Sequence, residues 1–267
     1  MPDLKGKVAV VTGASKGVGK GVALGLAEAG AVVYATGRTV SEDSFADSTR
    51  EAGQIIPARC DHTDDRETGA LFARVGEERG RLDVLVNSAW GGYERMVEGG
   101  EFTWPRPFWE QPAWRWDAMF AAGVRAAYVA SQHAARTMVA AGSGLIVNVS
   151  FWAARKHVGN VAYGVSKAAT DKMTADMAAE LRAHNVAAVS LYPGLVRTEK
   201  VLEAAAFLDL GNSESPQFLG RAVAALAADP KVLDRSGQAL VAAALAREYG
   251  FTDVDGKQPR PLTLEEV

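Results

Sequence analysis

Residues 7–19 read KVAVVTGASKGVG, a short apolar run that passes through a glycine-rich turn into a stretch with helical spacing. The β-branched residues before the turn predict a strand buried on both faces, and the apolar spacing after it predicts a helix. Gly13, Gly17 and Gly19 allow a tight turn and a close approach to a phosphate, and the helix N-terminus supplies free N–H groups. Because the glycines lie between a strand and a helix, they predict a dinucleotide site. The alternative is a glycine-rich turn without a ligand.

Strands and helices alternate along the rest of the chain. We predict further strands at residues 31–36, 54–59, 82–87, 144–150, 186–192 and 238–242, and further helices at 63–79, 113–141, 161–184 and 214–229. This alternation predicts one doubly wound α/β domain of the Rossmann type over residues 1–267, with a parallel seven-stranded sheet and helices on both faces. An irregular segment at about 88–112 and a polar tail at about 248–267 stand outside the alternation.

The composition excludes several classes of protein. The chain carries 29 Lys and Arg residues against 32 Asp and Glu residues, whereas nucleic-acid and membrane-surface binders usually carry a basic excess. The single cysteine, Cys60, excludes an intramolecular disulfide and favours a reducing compartment. No apolar run reaches the ~20 residues of a membrane span, no leader pattern opens the sequence, and the histidines lack metal-ligand spacing. We therefore expect a cytoplasmic protein with no membrane span, no nucleic-acid partner and no metal site.

A phenol and an ammonium stand four residues apart at Tyr163 and Lys167. On a helix these two side chains share one face. A free tyrosine has a pKa of roughly 10, and a fixed positive charge nearby lowers it towards the range that serves proton transfer. Ser150 ends a predicted strand shortly before Tyr163, and its hydroxyl can stabilise charge on the same substrate oxygen. Alone, such a Tyr-xxx-Lys pair is more often a solvated helix face.

The spacing Gly13-xxx-Gly17-x-Gly19, together with Ser150 and the Tyr163–Lys167 pair, resembles the short-chain dehydrogenase/reductase family. The resemblance implies hydride transfer between a nicotinamide cofactor and a carbonyl or alcohol carbon, with Ser150, Tyr163 and Lys167 as the catalytic residues. It also implies cofactor contacts in the glycine turn, after the third and fourth strands, on the catalytic helix and in the loop after the sixth strand: Gly13, Ser15, Lys16, Gly17, Val18, Gly19, Asp61, Asn87, Tyr163, Lys167, Pro193, Gly194, Val196 and Thr198.

The end of the second predicted strand favours NADP(H) over NAD(H). Gly37 stands where NAD-preferring members of the family place an acid that holds the ribose 2′-OH, and Arg38 follows it. Lys16 in the glycine turn adds a second cation, and two cations without a carboxylate suit a 2′-phosphate. The alternative is that both cations are merely solvated.

Three positions depart from the family pattern. Asn87-Ser88-Ala89-Trp90 replaces the usual Asn-Asn-Ala-Gly. Ser150-Phe151 replaces a common Ser-Ser pair, which leaves Phe151 as the alternative for the catalytic serine position. Gly123 stands where the family usually has an Asn that supports a proton-relay water, so the relay must be rebuilt with water or bypassed.

Aromatic residues crowd the irregular segment and its flank, where five of the six tryptophans lie between Trp90 and Trp116. The segment follows the fourth strand, at the edge of the sheet where ligands bind in this architecture. We therefore expect an apolar substrate pocket with Trp90 and Trp152 in its wall, although a single ring more often packs a loop onto the body.

These features together predict an NADP(H)-dependent oxidoreductase that acts on a small-molecule ketone, aldehyde or alcohol of apolar character. Members of the family are commonly homodimers or homotetramers, and we expect the same here. Two other functions fit the same motifs: a non-catalytic NADP(H)-binding redox sensor or scaffold, and an epimerase or dehydratase on the same fold. Within the family, Phe108-Trp109-Glu110 and the tail at 249–256 resemble one particular branch.

Overall fold

A computed structural model describes residues 2–46 and 52–267 of the chain. Its strands are β1 (Val8–Val11), β2 (Val32–Gly37), β3 (Gln54–Arg59), β4 (Val84–Asn87), β5 (Val97–Glu98), β6 (Glu101–Phe102), β7 (Gly144–Val149), β8 (Val186–Tyr192) and β9 (Ala239–Val241). Its α-helices are α1 (Gly17–Glu28), α2 (Asp65–Arg79), α3 (Ala113–Met119), α4 (Ala126–Ala141), α5 (Val161–Leu181), α6 (Glu199–Glu203), α7 (Pro216–Ala228) and α8 (Ala242–Tyr249).

Seven of the described strands form one parallel sheet in the order β3-β2-β1-β4-β7-β8-β9. The chain moves outwards from β1 to β3 on one side and from β4 to β9 on the other, so the strand order reverses between β1 and β4. The loops after these two strands run in opposite directions and leave a crevice at the carboxyl ends of the strands. The predicted doubly wound Rossmann architecture is confirmed, and the crevice lies where ligands bind in such sheets.

Helices cover both faces of the sheet. The core on one face is formed with α1, α7 and α8 and includes Phe218, and the core on the other face is formed with α2, α4 and α5 and includes Met138. Helices α1 and α7 approach closely because Gly25 faces Gly220, where a Cβ on Gly25 would lie 2.7 Å from the Gly220 backbone. This contact fixes α1, and with it the glycine turn from which α1 begins.

Four segments differ from the prediction. The segment at 88–112 contains a short antiparallel hairpin, β5–β6, rather than being wholly irregular. The helix predicted over 113–141 consists of α3 and α4 joined by a π-helical stretch at Phe120–Arg125, a feature that is frequent at functional sites. Helices α6 and α8 were not predicted, because five and eight residues are too few to show a clear helical period.

The carboxyl-terminal tail is anchored beside the crevice by a buried carboxylate. Asp253 is 1% exposed, and it accepts hydrogen bonds from Arg197 Nη2 and the Ser215 backbone N–H, both at 2.8 Å. Farther along, Lys156 Nζ donates to the Leu264 carbonyl at 3.3 Å. These bonds hold the tail against the loops that follow β7 and β8.

Candidate active site

The glycine turn packs directly on the end of β4. Gly13 has φ +67°, and a Cβ there would lie 2.7 Å from the backbone of Ala89. A Cβ on Gly19 would lie 2.3 Å from the Gly13 carbonyl oxygen, so neither position has room for a side chain. At the end of β2, a Cβ on Gly37 would lie 2.5 Å from Ser15 Oγ. The turn therefore needs glycine at these positions for space, and it presents bare backbone to the crevice.

A carboxylate already lies on this turn. Both oxygens of Glu199 accept from the Gly17 N–H, at 3.0 and 3.3 Å. Gly17 is the first residue of α1, where free N–H groups and the helix dipole favour an anion. The contact shows that the turn binds negative charge, so its residues fit a pyrophosphate. Sequence reasoning missed Glu199, although it directly follows the predicted contact Thr198.

The end of the crevice beside β2 and β3 carries Arg38 and Asp61. The Arg38 side chain is 61% exposed, and its Nη2 lies 3.9 Å from Glu94. Burial opposes ionisation of Asp61, but hydrogen bonds from Thr63 and the charge of Arg38 outweigh it and hold the pKa of this carboxyl below its usual value. A cavity of about 400 Å³ lies between Arg38, Thr63 and the amino-terminal part of the π-helical stretch. Lys16, at the start of α1, is exposed.

Asn87 faces the interior rather than the open crevice. Its Nδ2 donates to Ser131 Oγ at 3.0 Å and to Asn148 Oδ1 at 2.8 Å, and Asn148 Nδ2 donates to Thr174 Oγ1 at 2.8 Å. The buried network links the ends of β4 and β7 to α4 and α5. Asn87 therefore positions the strands that carry the site. Within the described residues its Oδ1 has no protein partner.

The predicted catalytic side chains meet where β7 ends and α5 begins. Asn160 caps α5 by accepting from the Tyr163 N–H at 3.1 Å, which places Tyr163 and Lys167 in the first two turns of the helix. Lys167 Nζ donates to the Val149 carbonyl at 3.1 Å. Ser150 Oγ donates to the Lys167 carbonyl at 3.4 Å, so the serine packs on the same turns of α5. The structure thus places Ser150 against the backbone of Lys167, whose Nζ lies 5.7 Å from the centroid of the Tyr163 ring.

Burial controls the ionisation of the pair. Burial, the nearby Tyr93 and a hydrogen bond shared with Tyr93 raise the pKa of Tyr163 well above its ordinary value. Burial lowers the pKa of Lys167 to about 7, against a smaller opposing effect from Asp171. The sequence predicts a lowered pKa for Tyr163. In this arrangement the shift has the opposite direction, because burial disfavours the phenolate and Tyr93 adds to the effect. Tyr163 therefore holds its proton at neutral pH.

Four aromatic rings enclose Tyr163, which is only 9% exposed. Their centroids lie 5.4 to 6.3 Å from its ring, and they belong to Trp90, Tyr93, Trp104 and Phe151. Trp152, expected in the pocket wall, packs instead on Tyr192 with the centroids 5.1 Å apart. The clustering of aromatic residues after β4 indicated such a wall, but only the fold shows which rings face the tyrosine.

The loop after β8 is built on a buried acid that the sequence did not single out. Glu214 Oε2 accepts from the Gly194 N–H at 2.9 Å, and Val196 pairs with Glu214 through the backbone. Thr198 caps α6 by accepting from the Val201 N–H. Burial raises the pKa of Glu214 to about 7. The Glu214 carboxyl therefore anchors the loop that starts at Pro193, and this carboxyl is largely protonated below neutral pH.

Glu214→Gln is expected to stabilise the protein near pH 8 by an amount on the order of 2 kcal/mol, with little effect near pH 4. The folded-state pKa of about 7 lies above the ordinary value of 4.5, so the folded protein holds an extra proton between these values. Stability therefore falls as the pH rises through this window, and glutamine, which resembles the protonated acid, removes the fall. Urea unfolding between about pH 4 and pH 8 measures the free energy of unfolding of wild type and variant, with Glu180→Gln at an exposed glutamate as the control. A Glu214→Gln curve parallel to wild type would contradict the assignment.

The comparisons with known proteins agree with this geometry. A family model described as short chain dehydrogenase matches residues 7–207, which include the glycine turn, Ser150, Tyr163 and Lys167. The chain belongs to the short-chain dehydrogenase/reductase family. It is accordingly an oxidoreductase of a family that uses NAD(P)(H) and acts on small molecules. Among the helices of the described ranges, none combines the length and the apolarity that crossing a membrane requires.

Relatives in the family cover nearly the whole chain. Dehydrogenase/reductase SDR family member 1 of Mus musculus is 45% identical over 95% of this chain and 85% of its own length, which confirms the branch expected from the tail. A solved 7α-hydroxysteroid dehydrogenase in complex with NADH and 7-oxo glycochenodeoxycholic acid matches with a TM-score of 0.75 and 26% identity, covering 96% of each chain. A putative NAD(P)-dependent gluconate 5-dehydrogenase from Beutenbergia cavernae with bound NADP matches with a TM-score of 0.74 and 28% identity, covering 90% of this chain and 96% of its own.

Proposed function

We propose that this short-chain dehydrogenase/reductase is an NADP(H)-dependent carbonyl reductase, or the reverse alcohol dehydrogenase, for an apolar substrate. The observation that carries the proposal is a cluster at the carboxyl edge of the sheet, where Ser150 packs on the turn of α5 that carries Lys167 and Lys167 Nζ lies 5.7 Å from the centroid of the Tyr163 ring. The glycine turn already holds a carboxylate at its Gly17 N–H. A protonated phenol can act as a general acid when a neighbouring ammonium stabilises the phenolate that it leaves, and a serine hydroxyl can supply a second hydrogen bond to the substrate oxygen.

Each end of the crevice suits a different part of the cofactor. The N–H groups of the glycine turn at Gly17 and Val18 would hold the pyrophosphate, and Asp61 would lie beside the adenine. The loop from Pro193 to Thr198 would hold the nicotinamide amide, and Lys167 the adjacent ribose hydroxyls. The bound nicotinamide supplies or accepts a hydride at the substrate carbon.

The protein's own contribution is the handling of the proton. Tyr163 donates its hydroxyl proton to the oxygen of a carbonyl during reduction and takes it back during alcohol oxidation. Ser150 donates a hydrogen bond to the same oxygen and stabilises the charge that develops there. The ammonium of Lys167 favours the phenolate that Tyr163 becomes after donation. Enclosure by aromatic rings excludes water and strengthens each of these interactions.

The residues at the end of β2 support the preference for NADP(H). Gly37 has no side chain and leaves room for Ser15, so no carboxylate stands where a ribose 2′-OH would be bound. Arg38 is exposed at the rim, and its Nη2 lies 3.9 Å from the Glu94 carboxylate. From this position the guanidinium could pair with the 2′-phosphate of NADP(H). The related gluconate 5-dehydrogenase was solved with NADP, and the hydroxysteroid dehydrogenase with NADH, so the choice rests on residues rather than on the fold.

An NADPH-consumption screen tests the proposed function. Ketones, aldehydes and quinones of graded size are supplied at saturating NADPH, and oxidation is followed by the loss of NADPH absorbance and by product analysis. We expect turnover of bulky apolar carbonyls with one NADPH oxidised per carbonyl reduced. Tight NADPH binding without turnover of any member of the panel would favour the non-catalytic sensor or scaffold. Product formation without net oxidation of cofactor would favour epimerisation or dehydration.

The helices beside the site also offer a surface for self-association. Trp116 and Phe120 stack with centroids 4.4 Å apart and line a groove of about 580 Å³ together with Tyr128 and Met173. Trp116 is 44% and Tyr128 is 48% exposed, and exposed large side chains grouped in one patch are typical of an interaction surface. This face supports the proposal of a homodimer or homotetramer. Light scattering coupled to size-exclusion chromatography tests it, and a monomeric mass at micromolar concentration would overturn it.

A further inference from the structure

One side chain from the loop after β4 contacts both members of the catalytic pair. Lys167 Nζ lies 3.8 Å from the centroid of the Trp90 indole, closer than the 5.7 Å that separates it from the Tyr163 ring. The Trp90 and Tyr163 rings meet edge to face, with centroids 5.7 Å apart and planes at 86°. Trp90 therefore forms a wall shared by the ammonium and the phenol.

The six-membered ring of the indole also contacts Gly123. A Cβ added at Gly123 would lie 2.7 Å from Cζ3 and 2.8 Å from Cε3 of Trp90, distances that Cβ atoms in proteins essentially never show. Gly123 does not have a positive φ, so the absence of a side chain, and not an unusual backbone, is what the position requires. Gly123 lies in the π-helical stretch between α3 and α4, and this stretch places it in contact with the Trp90 indole.

The indole is held by packing rather than by its own hydrogen bond. Trp90 Nε1 is buried and has no acceptor within the described residues. The partners that the structure gives the Lys167 ammonium are the Val149 carbonyl and the electron-rich face of Trp90, with Asp171 acting at longer range along α5. A cation over an indole face is stabilised more strongly when it is desolvated, and Lys167 is only 7% exposed here.

We propose that Trp90 is a positioning residue for the Tyr163–Lys167 pair, that its indole face holds the Lys167 ammonium in place, and that Gly123 is kept small to seat the ring. The inference rests on the proposed reaction, since it assigns Trp90 a role through Lys167. It also accounts for two departures from the family pattern at once, because the bulky residue at 90 and the missing side chain at 123 occupy the same space.

Substitutions at both positions test the proposal in the full-length protein. Trp90→Leu keeps the site apolar and removes the aromatic face, Trp90→Phe keeps a smaller face, and Gly123→Ala pushes the ring from its seat. Matched controls are Trp109→Phe, at an exposed tryptophan, and Gly76→Ala, at a helical glycine with open space around it. We expect Trp90→Leu to lower kcat about tenfold and Trp90→Phe and Gly123→Ala less, while the Kd for NADPH stays within about threefold.

A direct reading of Lys167 separates positioning from mere packing. The Cε resonance of Lys167, observed by NMR in protein with ¹³C-labelled lysine and assigned with Lys167→Arg, is titrated in each variant. Loss of the indole face makes the ammonium less stable, so the inflection in Trp90→Leu should move to lower pH by about half a unit or more. Tyr93 and Asp171 also face the pair and are unchanged in every variant.

The outcomes are distinct. If wild type turns over no carbonyl but the Lys167 titration depends on Trp90, the proposed function fails and the inference about Trp90 stands. If wild type is active and the titration and pH–rate profile of folded Trp90→Leu and Gly123→Ala match those of the controls, the inference is overturned. Gly123→Ala and Trp90→Phe keep the test open if Trp90→Leu does not fold.

Discussion

Replacing Tyr163 with Phe is expected to lower kcat for carbonyl reduction about a thousandfold, while the Kd for NADPH changes by no more than about threefold. The substitution removes one hydroxyl and keeps the ring, so the surrounding aromatic wall stays packed. The lost hydroxyl is the group that donates a proton to the substrate oxygen in the proposed reaction. Steady-state kinetics with the best carbonyl from the screen and fluorescence titration with NADPH measure the two quantities.

The control for this prediction is Tyr128→Phe, at a half-exposed tyrosine on α4. Tyr128→Phe removes the same hydroxyl group at a position away from the site, so it should leave kcat unchanged. Tyr93→Phe is a useful companion, because it removes the hydrogen bond from the second phenol and retains Tyr163. Turnover of Tyr163→Phe within a few fold of wild type would show that another group transfers the proton.

Replacing Arg38 with Glu is expected to weaken NADPH binding at least about a hundredfold and to change NADH binding only a few fold. Wild type should bind NADPH at least about tenfold more tightly than NADH, because Arg38 forms charge-assisted hydrogen bonds with the 2′-phosphate. The substitution removes these bonds and adds repulsion, and it supplies a carboxylate that can accept from the 2′-OH of NADH. The preference should therefore reverse.

Fluorescence titration with both cofactors measures this reversal, and Arg136→Glu is the matched control. Arg136 is exposed on α4, so its substitution changes the net charge of the protein by the same amount at a distance from the crevice. Equal affinities of wild type for NADPH and NADH would contradict the assignment of Arg38. Equal losses for the two cofactors in Arg38→Glu would show that the arginine acts on a part that they share.

Much of the fold could be predicted because its signals are local. Strand β8 is buried along its whole length, and both β8 and the partly exposed edge strand β3 have the bounds that the sequence predicts. The glycine turn was also predictable, because its glycines stand between the apolar run of β1 and the helical spacing of α1. The bends were not predictable in the same way. The sequence of the π-helical stretch at Phe120–Arg125 continues an ordinary helical pattern, and its contact with Trp90 is seen only in the folded structure.

The candidate site shows the same division. The spacing of Tyr163 and Lys167 placed them on one helix face, and the end of a strand placed Ser150 near them. The direction of the Tyr163 pKa shift was predicted wrongly, because it depends on burial by rings distant in sequence, such as Trp104. Glu214 was not predicted either, because a single acid before a helix looks like a solvated residue until the Gly194 N–H is found against it.

The most direct test of the central claim is a crystal structure of the protein with NADP⁺ and an unreactive carbonyl analogue. We expect the analogue's carbonyl carbon to lie about 3–3.5 Å from the reactive carbon of the nicotinamide. Its oxygen should lie about 2.6–3.2 Å from the Tyr163 hydroxyl, with Lys167 on the ribose side of the same ring. A bound nicotinamide from which the side chains of Tyr163 and Lys167 point away would contradict it.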